Sequence, residues 1–214
     1  MVDYVETHEA FCFDSFQDKL LFFDDFLGDQ IQDEWRESGG VGGDADVVDG
    51  QTGGIMRITT DSDDDDSWQV DWNNIGTIMA SSRCTIEIRA LITNLTCRVF
   101  LALHDGTADF VTFKYDSDVD GDWDFQVRNA GSASGYIDTG VTADTSYHIY
   151  RIECHTHGTA HVHFYVDGTE TSNSPYTTAA DVPTLEMQPW IYLQAREAVA
   201  KTLDVDYVYV RQDR

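Results

Sequence analysis

Apolar and polar residues alternate with a period of two along most of the chain, which predicts a protein built of short β-strands. Glycine-, aspartate- and asparagine-rich turns separate the alternating runs about every 8–12 residues. The only run with helical propensity, 195–201, is too short to change the fold class. More than ten strands in one chain predict an all-β fold, a two-sheet antiparallel sandwich. The expected strands are 54–60, 67–72, 75–80, 84–92, 97–104, 110–115, 123–128, 146–155, 161–166, 187–194 and 203–211.

The first 22 residues do not share this pattern. An aromatic stretch containing Phe11, Phe13 and Phe16 lies in a polar setting. It can be a strand at the edge of the sandwich, or an arm that docks on a neighbouring subunit, because exposed aromatic side chains need burial. We therefore expect an amino-terminal arm or edge segment at 1–22 and a sandwich domain at 23–214.

The charge of the chain excludes several partners. There are 39 Asp and Glu against 13 Lys and Arg, a formal net charge of −26. Nucleic acid needs a basic face, so we expect none as a partner, and no contact with anionic membranes. No apolar run is long enough for membrane insertion, and the first residues lack the features of a secretory signal peptide.

The acidity also points to a habitat. Aspartate is abundant and lysine occurs only at positions 19, 114 and 201. Such a surface repels itself in dilute salt, whereas at about 1 M salt the Debye length falls to roughly 3 Å. A protein of a high-salt environment fits this composition, and an ordinary acidic protein is the alternative. The four cysteines, Cys12, Cys84, Cys97 and Cys154, form no C-x-x-C pair, so we expect free buried thiols.

Both ends of the predicted sandwich resemble a known superfamily. Segment 22–28, Phe-Phe-Asp-Asp-Phe-Leu-Gly, followed by Trp35, resembles the opening strand of concanavalin A-like jelly rolls. Segments 147–153, 163–168 and 203–210 are similar to late strands of that superfamily, which includes lectins, laminin G-like modules and laminarinase-like glycoside hydrolases. The resemblance implies a jelly-roll fold over about residues 22–212 and says little about activity.

The catalytic motif of the superfamily's glucanases is missing. A retaining glycosidase needs two carboxyl groups about 5 Å apart, which E-x-D-x-x-E on one strand provides. The strand residues Glu87, Glu153 and Glu186 have no such partners, and Asp204 and Asp206 lie where the superfamily's aspartate is structural. We therefore expect that the protein is not an enzyme.

Two clusters are candidate metal sites. Asp116, Asp118, Asp120 and Asp122 alternate around Gly121 in a predicted hairpin loop. Alternate carboxylates in a turning loop suit Ca²⁺, although a solvated acidic turn explains them too. The acidic run at 61–66 lacks a turn glycine and is expected to be a solvated loop.

Histidines form the second cluster, on either side of a predicted turn at 158–160. A three-residue loop would place His155 opposite His163 and His157 opposite His161, with all four rings on one face. Four imidazoles can bind a transition metal such as Zn²⁺ or act as a pH switch. A two-residue loop would separate the two pairs, and an exposed polar face is the simpler alternative.

Tryptophans are the candidate ligand-binding residues. Lectin-type sandwiches stack sugars on exposed rings, and Trp68, Trp72, Trp123 and Trp190 lie in or near strands and loops. Tryptophan is also an ordinary core residue of sandwiches.

Two function classes remain. The first is a non-catalytic structural or attachment protein on a symmetric assembly: a decoration, turret or tail-adhesion protein on the virion surface of a virus with halophilic hosts. Its partners would be other copies of the chain, with a trimer favoured, and a cell-surface glycan. The second is a carbohydrate-binding lectin, with or without Ca²⁺; a glycan-cleaving enzyme ranks third.

Overall fold

The computed structural model describes residues 19–28, 30–48, 53–73, 75–155 and 159–213. Nearly all of its regular structure is β-strand, with two 3₁₀ turns at Ala80–Ser82 and Ala179–Asp181. The strands, in chain order, are β1 (Lys19–Asp24), β2 (Arg36–Gly39), β3 (Asp44–Val47), β4 (Met56–Thr59), β5 (Ser67–Asp71), β6 (Ile78–Met79), β7 (Cys84–Ile92), β8 (Cys97–His104), β9 (Phe110–Asp116), β10 (Asp122–Asn129), β11 (Ser132–Ala133), β12 (Ile137–Thr142), β13 (His148–His155), β14 (His161–Val166), β15 (Thr169–Glu170), β16 (Glu186–Ala195) and β17 (Thr202–Asp213).

These strands form two antiparallel sheets. The first has the order β15-β14-β13-β7-β17-β4-β3, with β1 also paired to β17. The second has the order β11-β10-β9-β8-β16-β5-β2, with β12 paired to β10 and β6 paired to β16. The predicted two-sheet antiparallel sandwich is confirmed.

Aromatic rings join the two sheets in the core. Phe125 of β10 stacks on Phe164 of β14 with ring centroids 4.1 Å apart, and Trp123 packs 4.5 Å from Tyr150 of β13. Aliphatic side chains at alternate positions of the central strands fill the rest of the core. This burial is the main favourable contribution to folding.

Local alternation predicted the long strands well. Strands 84–92, 97–104 and 161–166 have the bounds that were expected, and the other long ones differ by a few residues at their ends. The sequence analysis missed β2, β3 and β12, whose runs are short or lack clear alternation. These strands lie at the edges of the sheets, where a strand has a full-length neighbouring strand on one side only.

The helical propensity of 195–201 is not realised. β16 ends at Ala195, and the following residues bend without helical hydrogen bonds. Arg196 bonds to Asp116, while the ammonium group of Lys201 contacts Thr96 and Glu197. These tertiary contacts outweigh a weak local preference.

The last residues of the predicted amino-terminal segment, 19–22, lie in a strand. β1 begins at Lys19, and its pairing runs from Lys19 opposite Asp213 to Asp24 opposite Val208. Residues 19–22 are therefore part of the sandwich. The proposed arm residues Phe11, Phe13 and Phe16 lie outside the described residues, so their role stays a prediction.

Two further features follow the sequence analysis. Cys84, Cys97 and Cys154 are buried free thiols, as expected, while Cys12 lies outside the described residues. Within the described part of the chain, no helix has the length and hydropathy needed to cross a membrane.

A histidine links the two ends of the β13–β14 hairpin. His148 Nδ1 lies 2.6 Å from Asp167 Oδ2, and its Nε2 lies 3.0 Å from Asp144 Oδ1. Burial alone would lower the pKa of His148, but these two carboxylates raise it above its usual value. The pKa of Asp144 is lowered, chiefly by the bond to His148. For Asp167, bonds to Ile149 and His148 outweigh burial, so its pKa is lowered as well.

We expect His148→Gln to destabilise the protein in a pH-dependent way. The pKa of His148 is higher in the folded protein than in the unfolded chain, where it is about 6.5. The protonated ring therefore stabilises the fold below about pH 6.5, and this stabilisation is lost as the pH rises through the pKa of the folded state. The lowered carboxylate pKa values give stability that is lost as the pH falls through them. The loss, about 1 kcal/mol, should therefore be largest between about pH 4.5 and 6.5 and smaller at about pH 8.5. Urea unfolding at several pH values measures it.

His161→Gln is the matched control, because the ring of His161 bonds the carbonyl of Thr159 instead of a carboxylate. A loss of stability for His148→Gln that does not change with pH would contradict the assignment.

Candidate ligand-binding face

The two central strands of the second sheet alternate between the core and the outer face. On β8, the side chains of Cys97, Val99, Leu101 and Leu103 are at most 1 % exposed. Arg98, Phe100, Ala102 and His104 therefore share the outer face. On β16 the same alternation places Gln188, Trp190, Tyr192 and Gln194 on that face.

Five rings form a continuous patch there, which we call the aromatic face: Phe100, His104, Phe110, Trp190 and Tyr192. Trp190 stacks on Phe100 at 5.3 Å and on His104 at 4.9 Å between ring centroids. Tyr192 lies 5.4 Å from Trp190, and Phe110 lies 6.1 Å from His104. All five side chains are half-buried, so part of each ring is open to solvent. Burial lowers the pKa of His104 below its usual value, which favours the neutral form of the ring.

Amide groups line one side of the aromatic face. The indole N–H of Trp190 donates to Gln69 Oε1 at 3.0 Å, and the Gln69 amide donates to Ser38 Oγ at 3.1 Å. Next to them, Arg36 forms a 2.7 Å ion pair with Asp71. The bond to Gln69 orients the Trp190 ring, and the bond to Ser38 holds the Gln69 amide in place.

A tyrosine stands on the opposite side. Tyr136 is 51 % exposed, and its ring covers the ammonium group of Lys114 at 3.7 Å. Lys114 lies directly opposite Phe100 in the β8–β9 register. The aromatic face is therefore bounded by amides on one side and by a cation and a phenol on the other.

Asp116 is surrounded by cations and buried. Its carboxylate accepts bonds from Arg98 at 2.6 Å and from Arg196 at 2.9 and 3.0 Å, and Lys114 lies 3.4 Å away. Its side chain is 1 % exposed. Both oxygens of this carboxylate are already bonded to arginine side chains, so neither is open to a substrate.

Asp124 is another carboxylate of this region, and its pKa is shifted. It lies opposite Lys114 on β10, and desolvation and the nearby Asp120 raise its pKa despite the Lys114 charge. Its register neighbour on the far side is Asp138 of β12. The outward positions of β8 carry no carboxylate, and the one on β16 is Glu186, six residues along the strand from Tyr192, which shares the rung of Asp124.

The predicted calcium loop is only partly assembled. Asp116 faces the three cations, and Asp118 is 60 % exposed, 3.4 Å from Arg196. Asp120 bonds the backbone N–H of Asp122. Within the described ranges, no group of three or more His, Cys, Asp or Glu side chains is arranged to hold a metal ion. Calcium binding stays a prediction, and Asp116 would have to leave its cations to take part.

Three of the four candidate histidines come together. The rings of His155, His161 and His163 lie 5.0–5.2 Å apart in every pairing on the outer face of the first sheet. The expected register was wrong: His155 pairs with His161, and Glu153 pairs with His163. The pairing differs from the expected one by two residues, and a shift of two residues keeps these rings on one face.

The carboxylates of the hairpin contact these rings. His163 Nδ1 is 2.6 Å from Glu170, and His155 Nε2 is 3.4 Å from Glu153. His157 lies outside the described residues. Binding of Zn²⁺ or pH switching by this cluster stays a prediction.

The four tryptophans divide into two groups. Trp123 is 1 % exposed in the core, and Trp72 packs 4.7 Å from Phe22, with one edge on a cavity of about 290 Å³. Burial removes Trp123 from the ligand-binding candidates, and Trp72 does not face the second sheet's exterior.

Trp68 and Trp190 remain partly open to solvent. Trp68 is held against Gly39, where an added Cβ would lie 2.2 Å from its ring. Only Trp190 belongs to the aromatic face.

The sequence analysis missed Phe100, His104, Phe110 and Tyr192. The sequence did contain a signal for them. Each lies at an alternate, outward-facing position of a strand that was predicted with nearly correct bounds. What the sequence does not show is that β8, β9 and β16 are neighbours.

No family model matches the chain, and no curated protein matches it. Solved structures do match its fold. The β-glucanase of Bacillus licheniformis is 16 % identical with a TM-score of 0.63, over 89 % of this chain and 97 % of that one. An immunostimulatory antigen and pseudo β-1,3-glucanase of Mycobacterium tuberculosis is 14 % identical with a TM-score of 0.66, over 90 % and 98 %. A carbohydrate esterase of Shiga toxin-encoding bacteriophage phi24B is 17 % identical with a TM-score of 0.54, over 84 % and 90 %.

Proposed function

Because the chain has the concanavalin A-like jelly-roll fold, we propose that it is a non-catalytic attachment module that binds a glycan on the aromatic face. The observation that carries this proposal is the patch of five half-buried rings with amide side chains beside it. Sugar rings offer an apolar C–H face and a rim of hydroxyl groups. The aromatic rings match the apolar C–H face, and the partly exposed amide groups of Gln69 and Gln194 match the hydroxyl groups.

The charges favour a neutral glycan. Arg36 already pairs with Asp71, and the three cations around Asp116 are already bonded to it. Because each of these cations is already paired with a carboxylate, none of them needs an anionic ligand to balance its charge. An anionic sugar would also approach a chain with a net charge of −26.

The carboxylates support binding without cleavage. A glycosidase needs one group to protonate the leaving oxygen and a second to attack or to activate water. Asp124 has the raised pKa of an acid, but its register neighbour Asp138 is exposed and accepts a bond from the backbone N–H of Gly140. Asp116, on the neighbouring strand β9, is buried among cations. The named neighbours include both a β-glucanase and a pseudo-glucanase, so the fold is compatible with either outcome.

A glycan array followed by a turnover assay tests the proposal. The folded protein should bind a neutral glycan, with β-1,3- and β-1,4-linked gluco-oligosaccharides included as probes. Chromatography of the bound oligosaccharide after prolonged incubation should show no shortened product. Binding to no glycan would refute the proposal, and product formation abolished by Asp124→Asn would show an enzyme instead.

For its biological setting, we propose display on a virion surface, as a homotrimer of a virus with halophilic hosts. The similarity to a bacteriophage protein and the strongly acidic composition support this finer proposal. Light scattering after size exclusion at about 2 M salt, where surface repulsion is screened, should give three copies per particle. A monomer would contradict the assembly and leave the glycan proposal standing.

A further inference from the structure

Two of the buried thiols face each other across neighbouring strands. Thr85 of β7 pairs with Glu153 of β13 in an antiparallel register. One step further along both strands, Cys84 is directly opposite Cys154. Both side chains point into the sandwich, and their residues are 1 % and 0 % exposed.

The distance between such positions suits a covalent link. Directly opposed residues of an antiparallel pair have Cα atoms about 4.5 or 5.5 Å apart, depending on their place in the hydrogen-bond ladder. Both values fall within the range of about 4.4–6.8 Å found for disulfides. The two thiols already form a hydrogen bond with each other, which together with burial raises the pKa of Cys154.

A small cavity lies next to this pair of cysteines. A cavity of about 130 Å³ is lined by both cysteines, and Arg83, His155 and Arg211 form part of its wall. Cys97, by contrast, lies opposite Ala195 of β16 and does not line this cavity.

We propose that Cys84 and Cys154 are a redox-sensitive dithiol that closes to a disulfide in the folded protein when a thiol oxidant is present. Oxidants of this class are azo compounds such as diamide, or small disulfides such as oxidised glutathione. The two S–H bonds break and one S–S bond forms. The two hydrogens and their electrons reduce the N=N bond of diamide to a hydrazine, or reduce glutathione disulfide to two glutathione molecules.

The bond would join β7 to β13 inside the first sheet. It closes a loop of about 70 residues, so it restricts the unfolded chain strongly. We expect a rise of about 5 °C in the melting temperature, reversible by dithiothreitol. Oxidation should be faster at alkaline pH, because the thiolate is the reactive form.

Peptide mapping tests the proposal in the full chain. After diamide treatment and alkylation of the remaining thiols, trypsin should release peptide 84–89 linked to peptide 152–196. The linked mass should be about 2 Da below the sum of the two free peptides, because two hydrogens are lost. Peptide 90–98, which contains Cys97, should be alkylated.

Variants make the assignment specific. Cys97→Ser should keep the link and the gain in melting temperature, whereas Cys84→Ser and Cys154→Ser should lose both. If either of these two fails to fold, the peptide map of the wild type decides alone. Four alkylated thiols in oxidised, folded wild type, or a link that involves Cys97 or Cys12, would overturn the proposal.

Discussion

Replacing Trp190 with alanine should weaken glycan binding at least about 30-fold, equivalent to about 2 kcal/mol. Trp190 contacts three other rings of the aromatic face, so its loss removes the central ring and loosens Phe100 and His104. Titration calorimetry with the array-selected oligosaccharide measures the change, and circular dichroism checks that the variant is folded. Trp190→Phe should retain part of the affinity, because it keeps a ring in place.

Phe23→Ala is the matched control for this prediction. Phe23 is 54 % exposed and lies beside Tyr207 on the outer face of the first sheet. The variant removes an exposed aromatic ring without changing the second sheet, so its affinity should equal that of the wild type. Equal losses for both variants would show that the ligand does not lie on the aromatic face.

Neutralising Asp116 should cost about 3–5 kcal/mol of the free energy of unfolding. Asp116→Asn keeps the size of the side chain but leaves Arg98, Lys114 and Arg196 close together without their shared counter-charge. Guanidinium chloride interferes with charge effects, so urea unfolding is the better measurement. Because the Asp116 carboxylate is buried, salt screens its ion pairs weakly, and the loss of stability should persist at about 1 M salt.

Asp118→Asn serves as the comparison. Asp118 belongs to the same acidic loop, but its side chain is 60 % exposed and contacts only the edge of the Arg196 guanidinium group. Its substitution should cost less than about 1 kcal/mol, as is usual for exposed pairs. A similar loss for the two variants would contradict the role given to Asp116.

The sequence predicted what depends on local pattern. Alternation predicted the strands 84–92 and 97–104 with the bounds that the structure has. It could not show that Trp190, from a distant strand, stacks on Phe100. Neighbouring strands are chosen by packing and sheet topology, which no local period encodes.

The candidate sites show the same limit. The Asp-rich loop has the oxygen spacing of a calcium site, but Arg98 and Arg196 reach Asp116 from two other strand ends. The histidine face was predicted correctly for His155, His161 and His163, while its register depended on a loop length that the sequence left open. Trp123 was indistinguishable from a surface tryptophan, because both occur in alternating runs.

The structure of wild-type protein in complex with the array-selected oligosaccharide tests the central claim most directly. The account predicts an intact sugar chain lying over Trp190 and Tyr192, with its hydroxyl groups bonded to the neighbouring glutamine side chains. A sugar chain bound elsewhere, or a cleaved one beside Asp124, would contradict it.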